Sequence, residues 1–171
     1  IRSFIEGRTN DAVTSAIDCI RFGNESARGG VLIDALVGIA IKSIGLNSLK
    51  QAVSDLSLAD TRKTLLELSA IKAGAESADE VFKRERQWAR SGRFGSMGII
   101  GQFIQPFLNR KALDRGRQKF TKIEADLGRM QMQLATHAYE LEHGKRPATA
   151  KELVPQYLKT IPLDLETGKE L

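Results

Sequence analysis

The sequence predicts an all-α fold, an irregular bundle of five or six helices. Three observations carry that reading. Residues 1–105 contain no proline, and they are rich in Ala, Leu, Ile, Arg and Glu, which sustain helices one after another. Apolar residues recur at spacings of three and four, the period of a helix face. No stretch alternates apolar and polar residues over more than four positions, so the signature of a half-buried strand is missing. At 171 residues, with 42% hydrophobic and 27% charged side chains, the chain is long enough for a core and too apolar for disorder.

The first helix is expected over 9–22, capped by Thr9 or Asn10 and ended by Gly23, with Ala12, Ala16, Ile17, Ile20 and Phe22 on its apolar side. The polar stretch NESARGG, 24–30, reads as a turn. The next helix, about 31–54, is apolar nearly all round: Leu32, Leu36, Ile39 and Ala40 on one face, Ile33, Val37, Ile41 and Ile44 on another. That pattern predicts a central helix packed from several directions. Its most apolar run, Val31 to Leu46, contains Asp34 and Lys42 and falls short of the roughly 20 residues that cross a bilayer. We therefore read it as a buried helix rather than a membrane span. Ser57 caps a helix over 58–72, with Leu65, Leu66, Leu68 and Ile71 facing inward. Ser77 and Glu80 have capping-box spacing and open a helix over 78–91.

Glycines at 92, 95, 98 and 101 then interrupt the pattern. Each costs roughly 1 kcal/mol in a helix relative to alanine, which predicts a connection over 93–106. Pro106 suits a first helical turn, and a long helix follows over 107–143. Its seam, Leu113, Gly116, Phe120, Ile123, Leu127, Met130, Leu134, His137 and Leu141, alternates steps of three and four like a heptad repeat. A tight turn at 143–147 ends it. Thr149 and Glu152 form a second capping-box pattern and start a short C-terminal helix at 150–158, expected to fold back on the long one. The organisation is thus a helical hairpin region at 1–92, the glycine-rich connection, and the long helix with its C-terminal module at 107–171, packed as one unit.

Familiar catalytic and metal-binding patterns are missing. One cysteine, Cys19, makes neither an internal disulfide nor a thiolate metal site by itself; we expect a structural thiol within an amphipathic helix. His137 and His143 are six residues apart and point to different faces of one helix. His137, on the seam, is expected to be hydrogen-bonded at a helix contact. Glu76, Asp79, Glu80, Glu140 and Glu142 read as solvated carboxylates. The glycines at 92–101 lack the preceding strand and the Gly-Lys-Ser/Thr ending of a phosphate loop. We expect no enzyme activity, no cofactor and no bound metal.

Charge is the more informative property. Between 83 and 122 stand Lys83, Arg84, Arg86, Arg90, Arg93, Arg110, Lys111, Arg115, Arg117, Lys119 and Lys122 against Glu85 and Asp114 alone. This segment carries +9 while the whole chain carries +5, so the remainder is −4. The basic band brackets the apolar stretch Phe94–Leu108. It is the candidate surface-binding set, suited to an anionic membrane when joined to Phe94, Met97, Ile99, Ile100, Phe103, Ile104 and Phe107. A weaker alternative is phosphate contact with nucleic acid, for which Trp88 and a few Phe and Tyr supply little stacking.

Two resemblances add to this reading. From Leu134 to Leu171 the chain has Ala135, Tyr139, Gly144, Pro147, Leu153, Val154, Pro155, Tyr157, Leu158, Ile161, Pro162, Asp164 and Gly168 in an order that resembles the region after the long helix of type II secretion pseudopilins. It departs from that family at Leu165, where proline is usual, and in lacking the apolar pilin stem. The match covers about a fifth of the chain and implies a shared module, not a pilin. Upstream, GRTNDAVTSAIDCIRFG followed by LIDALVGIAIKSIGLNSL is similar to membrane-anchored helical proteins of planctomycete-like bacteria. Those pair a tetratricopeptide-like hairpin segment with the same C-terminal module. The resemblance implies an extracytoplasmic domain behind an N-terminal anchor that lies upstream of Ile1, and it implies no activity. Stacked helical hairpins commonly offer a groove to a peptide or helix. The function expected is a non-enzymatic interaction or scaffold domain of a bacterial envelope protein, with a protein partner. The alternatives are a peripheral membrane-surface module and a nucleic-acid binder.

Overall fold

A computed structural model describes residues 9–90, 99–163 and 168–170, with the side chains of all of these except 89–90, 99–110 and 112. Helix α1 is Thr9–Ala27, α2 Leu32–Ala52, α3 Leu58–Ala73, α4 Ala78–Arg90 and α5 Ile99–His143. Short 3-10 turns stand at Val53–Asp55 and Ala150–Leu153. Among the described residues there is no strand, only a lone antiparallel bridge between Leu163 and Glu170. The fold is all-α, with packed helices.

Helix α1 does not stop at Gly23. That glycine is buried inside the helix, where α1 crosses Gly38 of α2: a Cβ on Gly23 would stand 2.6 Å from the Gly38 carbonyl oxygen. Its lack of a side chain serves close packing rather than termination. The reversal comes at Gly29, whose φ of +72° few other residues adopt. Gly45 meets Ala16 and Ile20 in the same way, so α1 and α2 run antiparallel. The start of α2 is fixed by two carboxylates. Asp34 accepts the Val31 N–H at 2.9 Å, and Glu85 of α4 accepts the Leu32 N–H at 2.9 Å; both satisfy amides that the helix cannot pair internally.

Helix α2 is packed from several directions, by α1, α4 and α5, but not all the way round. Leu32, Ala35, Ile39, Leu46 and Leu49 are buried, whereas Ile33, Val37 and Ile44 are 64%, 52% and 62% exposed. Neighbours reach one side of the helix and leave the other in water. By length and composition the segment Leu32–Asp55 holds an 18-residue stretch apolar enough to cross a membrane, with mean hydropathy 1.5, yet 44% of that stretch is buried within the protein.

Ser57 caps α3 as expected, its hydroxyl accepting the Asp60 N–H at 3.2 Å. Leu65, Leu68 and Ile71 enter the core, but Leu66 is 72% exposed. The inward arc is completed by Thr61 and Thr64, which are buried; Leu66 falls outside it. Ser77 and Glu80 make both halves of the capping box that starts α4. Helix α5 begins at Ile99, ahead of the predicted start, so Pro106 lies within the helix and not in its first turn. Proline withdraws its own N–H from the ladder, and the helix continues on both sides of it. Residues 99–106 of the expected glycine-rich connection are therefore helical, and 93–98 lie outside the described residues.

Helix α5 lies along α3 and also packs on α2. Gly116, Ile123, Leu127, Met130 and Leu134 of the expected seam are buried, and Phe120 packs against the core. Leu141 is 46% exposed, because the chain covering this end arrives on the side of Tyr139 rather than of Leu141. The buried arc also takes in Ala125, Gln131, Ala135 and Ala138, so it is wider than a two-position stripe and accommodates several elements. Gly144, with φ +69°, closes α5 and donates to the Glu140 carbonyl at 2.8 Å. The expected helix at 150–158 is shorter, a 3-10 turn over Ala150–Leu153. Leu153, Tyr157 and Leu158 nonetheless join the common core.

Candidate functional site

The basic band separates into two kinds of residue. Lys83 and Arg86 on α4, and Lys111, Arg115, Lys119 and Lys122 on α5, are exposed. At 100° per residue the last four fall within about 80° of one another around α5, a stripe along one side of the helix. Arg90 and Arg110 lie on helices, but their side chains, like the whole of Arg93, are outside the described residues. So are the side chains of Phe94–Leu108, on which the membrane-surface alternative rests.

Two members of the set are engaged in the fold. Arg84 is half-buried: its guanidinium forms a bidentate pair with Glu76 and donates to the Gly30 carbonyl at 2.9 Å. It thereby ties the start of α4 to the α1–α2 turn. Hydrogen bonding from Arg84 holds the Glu76 carboxyl below its ordinary range, and Glu76 raises Arg84 in return. Arg117 lies over the Phe82 ring, 4.6 Å from its centroid, and reaches Asp79 at 3.7 Å. Phe82 is buried and meets Phe120 with ring centroids 5.7 Å apart. Arg117 shields this aromatic contact from water, a packing role for a charged side chain.

A second cluster fixes the C-terminal module to α5. The Tyr139 hydroxyl donates to Glu152 at 2.7 Å, and Glu152 also accepts the N–H groups of Ala148 and Thr149 at 3.0 and 3.2 Å. Only this glutamate half of the expected capping box forms, since Thr149 makes no side-chain cap bond. The Tyr157 hydroxyl donates to Glu142, which Arg62 of α3 reaches at 2.6 Å. These bonds, from Tyr139 and Tyr157 first, depress both carboxyls below the ordinary carboxylate range. Burial and then the bond to Glu142 raise the Tyr157 hydroxyl, while the bond to Glu152 raises that of Tyr139. His143 stacks on Tyr139, with centroids 4.1 Å apart.

Several carboxylates expected to be solvated are thus engaged: Glu76, Glu142, and Glu140, which pairs with Arg146 at 2.6 Å. His137 stands 3.1 Å from the Leu56 carbonyl through Nε2, as a helix-contact histidine should. Cys19 is half-buried, its thiol directed at the Ile41 carbonyl 3.4 Å away. In the sequence Lys42 stands only as a charge opposing membrane insertion. It is buried at 7% exposure, and desolvation lowers its pKa against the opposing pull of Glu124. A lone lysine inside an apolar run was the available signal. A shallow cleft of about 310 Å³ between α3, α4 and α5 is lined by Lys72, Glu76, Ser77, Arg117, Phe120 and Glu124, charges of both signs. Among the described residues no group of three His, Cys, Asp or Glu is placed to hold a metal.

Comparison with protein-family models, with curated proteins and with solved structures finds no match to this chain.

Proposed function

We propose that this chain is a non-enzymatic interaction or scaffold domain of a bacterial envelope protein, binding an acidic protein surface through α5. The observation that carries the reading is the exposed stripe Lys111, Arg115, Lys119 and Lys122. It sits on a helix whose other side is locked into the core by Ile123, Leu127 and Leu134. A rigid helix presenting like charges at fixed spacing favours a complementary partner and excludes cationic ones. The first two hairpin helices, in the tetratricopeptide-like reading, and the heptad-patterned α5 are the frame for that surface. Placement on the extracytoplasmic side of a membrane, behind an N-terminal anchor, rests on the resemblance of the α1–α2 and C-terminal segments to envelope proteins.

The test is capture of the tagged full-length protein from cross-linked host cells, beside a variant with all four stripe residues changed to glutamate. The reading expects secretion or pilus components above a mock capture with the natural protein and their loss with the variant, while circular dichroism shows both folded. Equal recovery with both proteins removes α5 as the contact. Sedimentation with anionic vesicles but not neutral ones, in the absence of any protein partner, replaces the reading with the membrane-surface one. A steep salt dependence in nucleic-acid polarisation replaces it with a phosphate-binding one.

A further inference from the structure

The outward side of α2 joins an exposed residue of α1 in one apolar patch. Ile33, Val37 and Ile44 are more than half exposed, and Phe22 is 63% exposed. Phe22 belongs to the same surface because Gly23 faces Gly38 and the Cys19 thiol reaches the Ile41 carbonyl. That antiparallel register sets Phe22 along the Val37–Ile41 edge. Ile41 itself is half-buried between the two helices.

The outward positions on α2 are Ile33, Val37, Ala40, Ile44 and Asn47, in steps of four, three, four and three. This is the spacing of a helix packed at a shallow angle along a second helix. Ala40 is at the centre, where a small side chain lets two backbones approach. None of the five carries a charge, and the nearest one along the helix, Asp34, is occupied with the Val31 N–H. We propose that this face pairs two copies of the chain, α2 against α2, about a two-fold axis passing near Ala40.

Charge selects a second copy over other occupants. The chain carries +5 overall, so copies meeting through the basic faces of α4 or α5 repel. The α2 face is neutral, and pairing there leaves both basic stripes in water. An anionic lipid surface favours a cationic rim, whereas Arg21 and Arg28 of α1 are paired with Asp18 and Glu25, Lys50 stands beyond the seam near the end of α2, and the basic stripes lie on α4 and α5. A two-fold contact needs a patch complementary to itself, and a charge-free seam centred on a small residue satisfies that. The exposed apolar area is on the order of 500 Å² per chain, at the level where patches mark interaction sites. Two copies remove about twice that from water, near the lower limit for a specific interface. The dimer is therefore weak and concentration-dependent.

Analytical ultracentrifugation of the natural chain is expected to show a mass rising from 18.8 kDa toward twice that value across roughly 1–100 µM, as for a transient interface. Ile44→Glu, a change at a solvent-facing position, keeps the helical spectrum and stays monomeric throughout. With Cys19→Ser to remove the native thiol, Ala40→Cys is cross-linked into a dimer by a short bis-maleimide, whereas Lys119→Cys, on the exposed stripe of α5, is not. A natural chain that remains monomeric at 100 µM overturns the proposal, as does an Ile44→Glu variant that dimerises equally well. Monomeric chains whose binding to neutral phosphatidylcholine vesicles is abolished by Ile44→Glu overturn it in favour of lipid.

Discussion

The carbonyl oxygen of Gly38 lies where a methyl group on Gly23 would be only 2.6 Å away. Helices α1 and α2 therefore touch backbone to backbone, and the contact repeats at Gly45, where a Cβ would stand 2.7 Å from the Ala16 carbonyl. Gly38→Ala gains about 1 kcal/mol of helix propensity but has to force the helices apart. The expected net loss is about 2 kcal/mol, a fall in Tm of about 4–8 °C for a chain this size. Gly116→Ala is the control. Its new methyl meets chiefly the end of the Leu32 side chain at 2.9 Å, which can rotate aside, so the helix-propensity gain of up to about 1 kcal/mol is kept in part and Tm should not fall.

The two leucines Leu66 and Leu68 exchange the importance that sequence spacing gives them equally. Leu68 is fully buried and Leu66 is 72% exposed. In urea unfolding, Leu68→Ala should cost about 2–5 kcal/mol, and Leu66→Lys should stay within about 0.5 kcal/mol of the natural chain. A large loss at Leu66 would mean that α3 is rotated from the position described.

Lys42 should destabilise the fold while charged. Its pKa is lowered by burial, so the folded state gives up the proton more readily than the unfolded chain. Stability on this account is full above the ordinary lysine value of about 10.4 and falls as pH drops through the lower folded value. Lys42→Met keeps length and volume, and should raise Tm at pH 7 by about 2–4 °C, equivalent to about 1 kcal/mol. The gain should shrink as pH rises and vanish above about 10.4, where the natural lysine is neutral in both states.

The C-terminal module should come off α5 at both ends of the pH scale. Glu142 and Glu152 are depressed by bonds from Tyr157 and Tyr139, so their contribution holds above the ordinary carboxylate value of about 4.3 and is lost as pH falls through the lower folded values. Tyr139 and Tyr157 are raised; their contribution holds below about 10 and is lost as pH rises through the higher folded values. Hydrogen exchange at the Tyr157 and Leu158 amides, corrected for intrinsic pH dependence, should accelerate below pH 4 while the Leu127 amide stays protected. Glu142→Gln should flatten that acid limb. An unchanged limb would remove Glu142 as its source.

Element identity and most helix limits were legible in the sequence because they are local. Ser57 reaches the Asp60 amide, Ser77 and Glu80 bond one another, and Gly144 supplies a positive φ; each device acts within about one turn. Besides the shortened C-terminal helix, the failures of boundary at Gly23 and Pro106 have one source. Both residues are tolerated inside helices when surroundings favour it, and only the neighbour shows that Gly23 is needed at a crossing.

The candidate surface was legible only as a count of charges. Eleven cations were found between 83 and 122, but composition does not say which of them are committed to the fold. Arg84 is bound to Glu76 and Gly30 and Arg117 covers Phe82, whereas Lys111, Arg115, Lys119 and Lys122 remain in water. The sequence by itself determined an all-helical chain and its apolar periodicity, because both follow from energies within a turn or two. Only the tertiary structure decided that Lys42 is inside, that Ile33, Val37, Ile44 and Leu66 are outside, and that Tyr157 meets Glu142. The period gives a helix an apolar face, but how much of that face is covered depends on how many other helices can reach it.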